Sequence, residues 1–404
     1  MNILFLSIST MISNMKNRGI YPDLMREFTI NDHNVYIVCP SERRFKKQTK
    51  LSIYNNIHIL EVKTLNITKS TFIEKGIATL LIEYQYSKAI KKYLASIKFD
   101  LILYATPPIT FNSLIKKLKV KYNCMTYLML KDIFPQNAVD LGIFKKRSLF
   151  YNYFRRKEKL LYSISDFIGC MSKANIEYLL RNNEIDKEKI EICPNAISIT
   201  KRESDFSKDE MFEKYNLPKD VPIFIYAGNL GLAQGLEFLL EVLTSNKNRK
   251  DSYFLIVGSG NKSHLIQNWI AKNNPSNVKL INQLERQEYD ILESYCDVGM
   301  VFLDSRFTIP NFPSRILSYM ECKLPLLIAT DKVSDLGKIA KNNEFGIWSV
   351  ANDIDNFNKN FDFFIKNCKT RKQMGINGYN FLVKNYNITI SYQTIIKNFN
   401  KFLK

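Results

Sequence analysis

The pattern of this chain predicts an α/β fold of two domains, each a largely parallel, doubly wound sheet covered on both faces by helices. Three observations carry that prediction. Short β-rich runs alternate with longer stretches of helical spacing in both halves. A polar, charged stretch at residues 194–222, including Ser204-Asp205-Phe206-Ser207-Lys208-Asp209-Glu210, interrupts the alternation once. The length of 404 residues exceeds one typical core and suggests two or three domains.

In the first half, residues 3–8, 35–39, 57–62, 101–104, 125–130, 167–170 and 190–193 read as strands. Residues 77–96 and 114–120 have helical spacing. Ligands of such sheets lie beyond the carboxyl ends of the strands, which directs attention to loops 9–19, 105–108 and 131–137. The polar stretch reads as the connection between domains. The alternation restarts at Pro222, with strands expected at 223–227, 254–257, 278–281, 298–303, 326–329 and 347–350. From about residue 370 the pattern is helical, with Phe381, Leu382, Ile395, Phe399 and Phe402 as packing positions. The expected domains are therefore 1–200, 201–375 and a helical segment, 376–404, that packs towards the first.

A formal net charge of +19 favours anionic partners: nucleotides, nucleic acid or an acidic membrane surface. Cys39, Cys124, Cys170, Cys193, Cys296, Cys322 and Cys368 are scattered without a Cys-x-x-Cys; several sit in apolar runs, most simply as buried small hydrophobes, and the odd number without a framework points to a reducing cytosol. His33, His58 and His264 stand apart from one another and from cysteine, so no metal site is expected. The first nine residues lack a basic n-region and a cleavage site and read as a strand. No apolar run approaches the roughly 20 residues of a membrane-spanning helix.

Chemistry is expected in the second half. Phe224-Ile225-Tyr226-Ala227-Gly228-Asn229-Leu230-Gly231-Leu232-Ala233-Gln234-Gly235-Leu236-Glu237 is an apolar strand, a glycine turn and a helix start. Leu236, Leu239, Leu240 and Leu243 give that helix one apolar face. Strand, turn and helix N-terminus hold phosphate well, because orphan N–H groups converge there; the alternative is a tight turn without a ligand. Three more loops follow strands: Val257-Gly258-Ser259-Gly260-Asn261, Asn282-Gln283-Leu284-Glu285-Arg286, and the stretch from Pro310 to Glu321. In the last, Pro313-Ser314 signals a helix start with Ser314 as N-cap. Arg315 in the first turn opposes the helix dipole, which makes sense if an anion sits there; the alternative is a solvated arginine.

These stretches carry a resemblance. Residues 226–235, Ile256-Val257-Gly258-Ser259-Gly260, and Pro313-Ser314-Arg315-Ile316-Leu317-Ser318-Tyr319-Met320 running to Leu324-Pro325 resemble family-4 glycosyltransferases of the two-domain GT-B fold. The branch most similar builds bacterial capsule and O-antigen with aminosugars such as N-acetylfucosamine. In the first half, Ala105-Thr106-Pro107-Pro108, Lys131-Asp132-Ile133-Phe134-Pro135, Ser165-Asp166-Phe167 to Ser172, and Pro194-Asn195-Ala196 resemble the same family.

The resemblance implies retaining, metal-free transfer from a UDP-sugar, which is a co-substrate and not a cofactor, in a cleft that the two domains face. The departing diphosphate is stabilised there by preorganised N–H groups and cations. It implies donor contacts at Gly228, Asn229, Gly231, Gln234, Gly258, Gly260, Leu284, Pro313 and Ser314, acceptor contacts at Gly19 and Pro107, and catalytic roles for Asp132 and Arg315. Asp132 would accept a hydroxyl proton; read alone it is equally a turn or cap residue. Two departures matter. Asn229 and Gln234 replace the family's usual Arg and Lys, so Arg315, with Arg286 or Arg306, would supply the charge. Ser318 replaces a ribose-binding glutamate, for which Glu321, one turn on, would substitute.

Residues 144–157 mix cations with aromatics, and Lys116, Lys117, Lys119 and Lys121 add a second basic cluster. Both suit an anionic leaflet, and a polyprenyl-diphosphate-linked saccharide acceptor would require one. The expected location is cytoplasmic, peripherally on the inner face of the cell membrane. Two other functions fit parts of the pattern: a nucleotide-sugar 2-epimerase on the same architecture, and a nucleic-acid binder. The second is motivated by charge alone, without a recognisable motif.

Overall fold

The computed structural model describes residues 1–68, 70, 72–200 and 206–403. It divides into two compact units, residues 1–198 with 386–404, and residues 199–385. Of the expected connection, residues 201–205, with Ser204 and Asp205, lie outside the described residues.

The first unit opens with β1 (Asn2–Leu6), α1 (Ile20–Ile30), β2 (Asn34–Glu42), β3 (Lys50–Tyr54) and β4 (Ile57–Thr64). It continues with α2 (Phe72–Tyr93), β5 (Leu101–Ala105), α3 (Asn112–Tyr122), β6 (Met125–Leu130), α4 (Gln136–Asp140) and α5 (Leu149–Ile164). Last come β7 (Phe167–Cys170), α6 (Lys173–Asn182) and β8 (Ile190–Ile192). The sheet order is β3-β4-β2-β1-β5-β6-β7-β8, with β3 and β4 antiparallel and every other pair parallel. Central strands buried on both faces need unbroken apolar runs, and all five residues of β5 are buried.

The sequence pattern missed β3. Leu51-Ser52-Ile53-Tyr54 alternates but is short, and the turn that pairs it with β4 is Asn55-Asn56. Both asparagines have positive φ, the signature of the two-residue turn that matches strand twist.

The second unit runs α7 (Lys208–Lys214), β9 (Ile223–Ala227), α8 (Leu236–Asn246), β10 (Tyr253–Val257), α9 (Ser263–Asn273), β11 (Val278–Ile281) and α10 (Arg286–Ser294). Then come β12 (Val298–Phe302), α11 (Arg315–Glu321), β13 (Leu326–Thr330), α12 (Leu336–Asn342), β14 (Gly346–Val350), α13 (Ile354–Lys366) and α14 (Cys368–Asn385). Its six strands are parallel in the order β11-β10-β9-β12-β13-β14. The polar stretch is thus partly helical: Ser207 caps α7, and Glu210 reaches back to the Ser207 N–H at 2.7 Å in a capping box.

The helical C-terminal stretch breaks in two at Asn387, which caps α15 (Ile388–Phe402). Helix α14 packs in the second unit, where Arg371 donates to Asp297 at 3.1 Å. Helix α15 packs in the first unit beside α1, burying Ile388, Ile395 and Phe399 against β1, β5 and β6. Phe402 does not join that core; it is 37% exposed.

Two expectations about basic residues change. Arg155 is not a surface cation: it pairs with the buried Glu158 at 2.5 Å and donates to the Asn182 carbonyl and Asn183 Oδ1, each at 2.7 Å. Lys119 likewise leaves its cluster for Asp166, at 2.6 Å. Removing Arg155 strands a buried carboxylate, whereas Arg156 is exposed. Arg155→Ala is therefore expected to lower unfolding free energy by about 3 kcal/mol in urea titration. Arg156→Ala should stay within about 0.5 kcal/mol of the parent.

Candidate functional site

In the second unit strand order diverges between β9 and β12, and ligands of open α/β sheets bind at such a switch point. The loops after both strands are laced together there. Asp304 N–H donates to the Ala233 carbonyl at 3.2 Å, and a Cβ on Gly235 would stand 2.8 Å from the Leu303 carbonyl oxygen. Gly235 has φ +56° and is the N-cap of α8, one 3-10 turn (Leu232–Gln234) after the glycine loop.

The loop after β10 closes on the same place. A Cβ on Gly258 would lie 1.9 Å from the Gly228 carbonyl oxygen, and one on Gly260 2.3 Å from that of Leu230. Only glycine permits these approaches. Leu230 N–H donates to the Ser259 carbonyl, and Lys262 N–H to that of Leu230, each at 3.0 Å. Gly231 is buried, whereas Gly228 and Asn229 are exposed.

Arg315 converges on this loop. Its guanidinium lies 4.4 Å from the Tyr226 ring centroid and donates to Gln234 Oε1. The position of a Cβ on Gly228 is 3.6 Å from Arg315 Nη2, and Nη1 is buried without a hydrogen-bond partner. A cation stacked on an aromatic face keeps its charge in a partly buried place and is held in one orientation.

Helix α11, which carries Arg315, is fixed on three sides. Tyr319, fully buried, accepts the Ala227 N–H at 2.8 Å. A Cβ on Gly375 of α14 would stand 1.8 Å from the Lys323 carbonyl oxygen. From α10, the buried Glu293 accepts hydrogen bonds from Ser318 and Tyr289, and the Cys322 thiol at 3.7 Å. Sequence reasoning missed Tyr226, Tyr319 and Glu293. The two tyrosines sit inside quoted motifs and read as strand and helix residues; Glu293 has no signal beyond its spacing from Tyr289.

Other expected residues are placed differently. Ser314 occupies the N-cap position but makes no side-chain cap and is exposed. Glu321 is buried and accepts the Thr200 N–H at 3.2 Å, so its carboxylate holds incoming chain and is not turned outward for a ribose. Arg306 forks onto Asp304 at 2.8 and 2.7 Å, and Arg286 pairs with Asp290 at 3.0 Å. Neither supplies the uncommitted charge expected of it. Pro313 and Leu284 are partly buried beside these loops.

The first unit has its own switch point, between β1 and β5. Gly19 caps α1 there, and its N–H donates to Asp23 at 3.1 Å. Asp23 also accepts Ser198 N–H at 2.9 Å. Pro107 is exposed on the loop after β5. The Thr106 hydroxyl donates to the Asp132 carbonyl at 2.9 Å and accepts the Lys131 and Asp132 N–H groups at 3.0 and 3.1 Å, tying β5 to β6. Both Asp132 carboxylate oxygens accept from Asn137 Nδ2, at 2.8 and 2.7 Å.

Burial pushes the Asp132 carboxyl up to about 6, against the hydrogen bonds from Ile133 and Asn137. Burial lowers Lys131, which donates to the Cys193 carbonyl at 3.2 Å, to about 8. Both groups titrate near neutrality at the ligand end of one strand. Among the described residues, no cluster of three or more His, Cys, Asp or Glu forms a metal-holding group, and no helix is long and apolar enough to cross a membrane.

This geometry can be set beside known proteins. Residues 23–201 match the Glycosyltransferase Family 4 model and residues 207–381 the model for Glycosyl transferases group 1. The chain is a glycosyltransferase of the two-domain GT-B fold. A Glycosyltransferase Family 4 domain comes first and a Glycosyl transferases group 1 domain second. A probable glycosyltransferase of Pseudomonas aeruginosa, WbjE, is 23% identical over 292 residues, 70% of each chain.

Among solved structures, sucrose-phosphate synthase of Thermosynechococcus elongatus superimposes with a TM-score of 0.78 at 16% identity, over 100% of this chain and 99% of that one. Anabaena HepE in complex with UDP-glucose gives 0.72 at 13% identity, covering 99% of each. The epimerase alternative gains no support from these relatives.

Gly258→Ala forces two backbones apart and is expected to lower stability by about 3 kcal/mol or more in urea titration. Gly76→Ala, in α2 with open space around the added methyl, should raise it by about 0.5–1 kcal/mol. Asp132 binds its proton more tightly folded than unfolded, since its pKa is raised. Its contribution to stability therefore falls as pH rises from about 4 through about 6. Asp132→Asn should flatten that part of the stability profile.

Proposed function

We propose that the protein transfers a sugar, an N-acetylated aminosugar by its resemblance, from a UDP-sugar to a lipid-linked saccharide acceptor in capsule or O-antigen assembly. The observation that carries this reading is Arg315 held over Tyr226 at the Gly228 turn, a fixed cation at a switch point of the sheet. A site of this kind suits a diphosphate and stabilises the negative charge that grows on it as the glycosidic bond breaks. UDP-glucose complexed with the similar HepE supports a UDP-sugar as donor.

The donor would lie along Gly228, Asn229, Gly231, Gln234, Gly258, Gly260, Leu284, Pro313 and Ser314. Gln234 replaces a cation but anchors Arg315, so one charge does the work of several. The acceptor would meet Gly19 and Pro107, and Asp132 would take its hydroxyl proton, a task suited to a carboxyl near 6. Retention and independence of a metal follow from the family resemblance. Peripheral attachment to an anionic leaflet would use residues 144–157, where Leu149 and Phe150 are 88% and 70% exposed.

Arg315→Ala is expected to lower kcat/KM for the UDP-sugar by about 10²–10³ with an unchanged circular dichroism spectrum. Arg315→Lys should recover only part of this, because an ammonium does not stack and fork alike. Unchanged turnover would remove Arg315 from the site. The rate should rise with pH through about 6 as Asp132 loses its proton, and Asp132→Asn should abolish that rise along with most activity. A panel of UDP-sugars, with and without polyprenyl-diphosphate acceptor and read by mass spectrometry, tests the donor and acceptor directly.

A further inference from the structure

Helix α2 exposes an apolar stripe. Ile77, Leu80, Leu81 and Tyr84 fall at i, i+3, i+4 and i+7 and are 47%, 54%, 42% and 66% exposed. The opposite face of the same helix, with Ala78, Ile82, Tyr86 and Ala89, is buried. The stripe therefore adds to a helix whose core contact is already made.

Helices α2, α3 and α5 form one layer. The core on one face of the sheet, built on Ile3, Phe5, Leu101, Leu103 and Met125, takes α1 and α15 and none of these three. Leu114 N–H of α3 donates to Glu83 of α2 at 2.7 Å, and Asn112 Nδ2 of α3 donates to the Lys157 carbonyl of α5 at 2.9 Å. Their outward residues thus share one side of the first unit.

The charge of that side is one-signed. Lys88, Lys91 and Lys92 continue the α2 stripe, and Lys116, Lys117 and Lys121 are exposed on α3. Of the three carboxylates these helices carry, none is exposed: Glu74 pairs with Arg43, Glu83 holds α3, and Glu158 is buried against Arg155. A protein partner's apolar face would not by itself call for so uniform a cationic surround; an anionic lipid surface does.

We propose that α2 is a membrane-docking element, its Ile77–Leu80–Leu81–Tyr84 stripe entering the headgroup layer of an anionic bilayer while the lysines of α2 and α3 lie on the phosphates. It deepens the membrane reading above, which rests on residues 144–157. The stripe supplies apolar area and the lysines supply attraction, and weak peripheral binding generally needs both.

The test uses the full chain with vesicles of phosphatidylglycerol and phosphatidylcholine, compared with phosphatidylcholine alone, by sedimentation. Changing Ile77, Leu80, Leu81 and Tyr84 together to Gln is expected to weaken binding to the anionic vesicles at least about tenfold. Transfer to a water-soluble acceptor analogue should be unchanged. Lys88→Glu with Lys91→Glu and Lys92→Glu should abolish the preference for the anionic vesicles. Should the fourfold variant melt early, Leu80→Glu and Tyr84→Glu singly give the same readout.

Undiminished vesicle binding by the stripe variants would overturn the proposal. So would a parent dimer that the variant splits while vesicle binding stays the same, for the stripe would then be a self-interface. A chain that docks through α2 yet transfers no sugar would sink the transfer reading and leave this one standing. A chain that transfers sugar but ignores vesicles would do the reverse.

Discussion

Two backbones pressed together hold the candidate donor site. Where β9 and β10 end, Gly258 stands so close to the Gly228 carbonyl that a single methyl group has no room. That approach brings the two glycine loops together, as only glycine allows. Arg315 lies over Tyr226 beside Gly228, its guanidinium 4.4 Å from the ring centroid.

The helix that carries Arg315 is short, and its own hydrogen bonds would not keep it in place. Tyr319 ties it to β9, Gly375 lets α14 press on the turn that follows it, and Glu293 grips Ser318 and Cys322. A buried carboxylate fully supplied with donors specifies one arrangement of the groups around it. The first unit repeats this economy around Thr106, whose hydroxyl joins the ends of β5 and β6 and leaves Asp132 and Lys131 side by side, each shifted by burial towards neutrality.

Much of the architecture was legible in the sequence. Strands buried on both faces carry unmistakable apolar runs, so β6, β7 and β9 are found with the ends expected. The glycines of the donor loops were legible too, because they directly follow apolar strands, although the approaches that require them are long-range. What was not legible is long-range. Glu321 and Ser318 are near neighbours in sequence, yet one turns to Thr200 and the other to Glu293. Arg155 looked like a surface cation because Glu158, three residues on, gives no sign of being buried. Arg286 and Arg306 were credited with charge that nearby carboxylates already use.

A structure of the chain with UDP tests the central claim most directly. The account predicts the diphosphate beside Gly228, on the N–H groups of the glycine loop, with the Arg315 guanidinium within hydrogen-bonding distance of a phosphoryl oxygen. A nucleotide bound in any other place, with Arg315 still on Tyr226 and Gln234 and touching no phosphate, would contradict it.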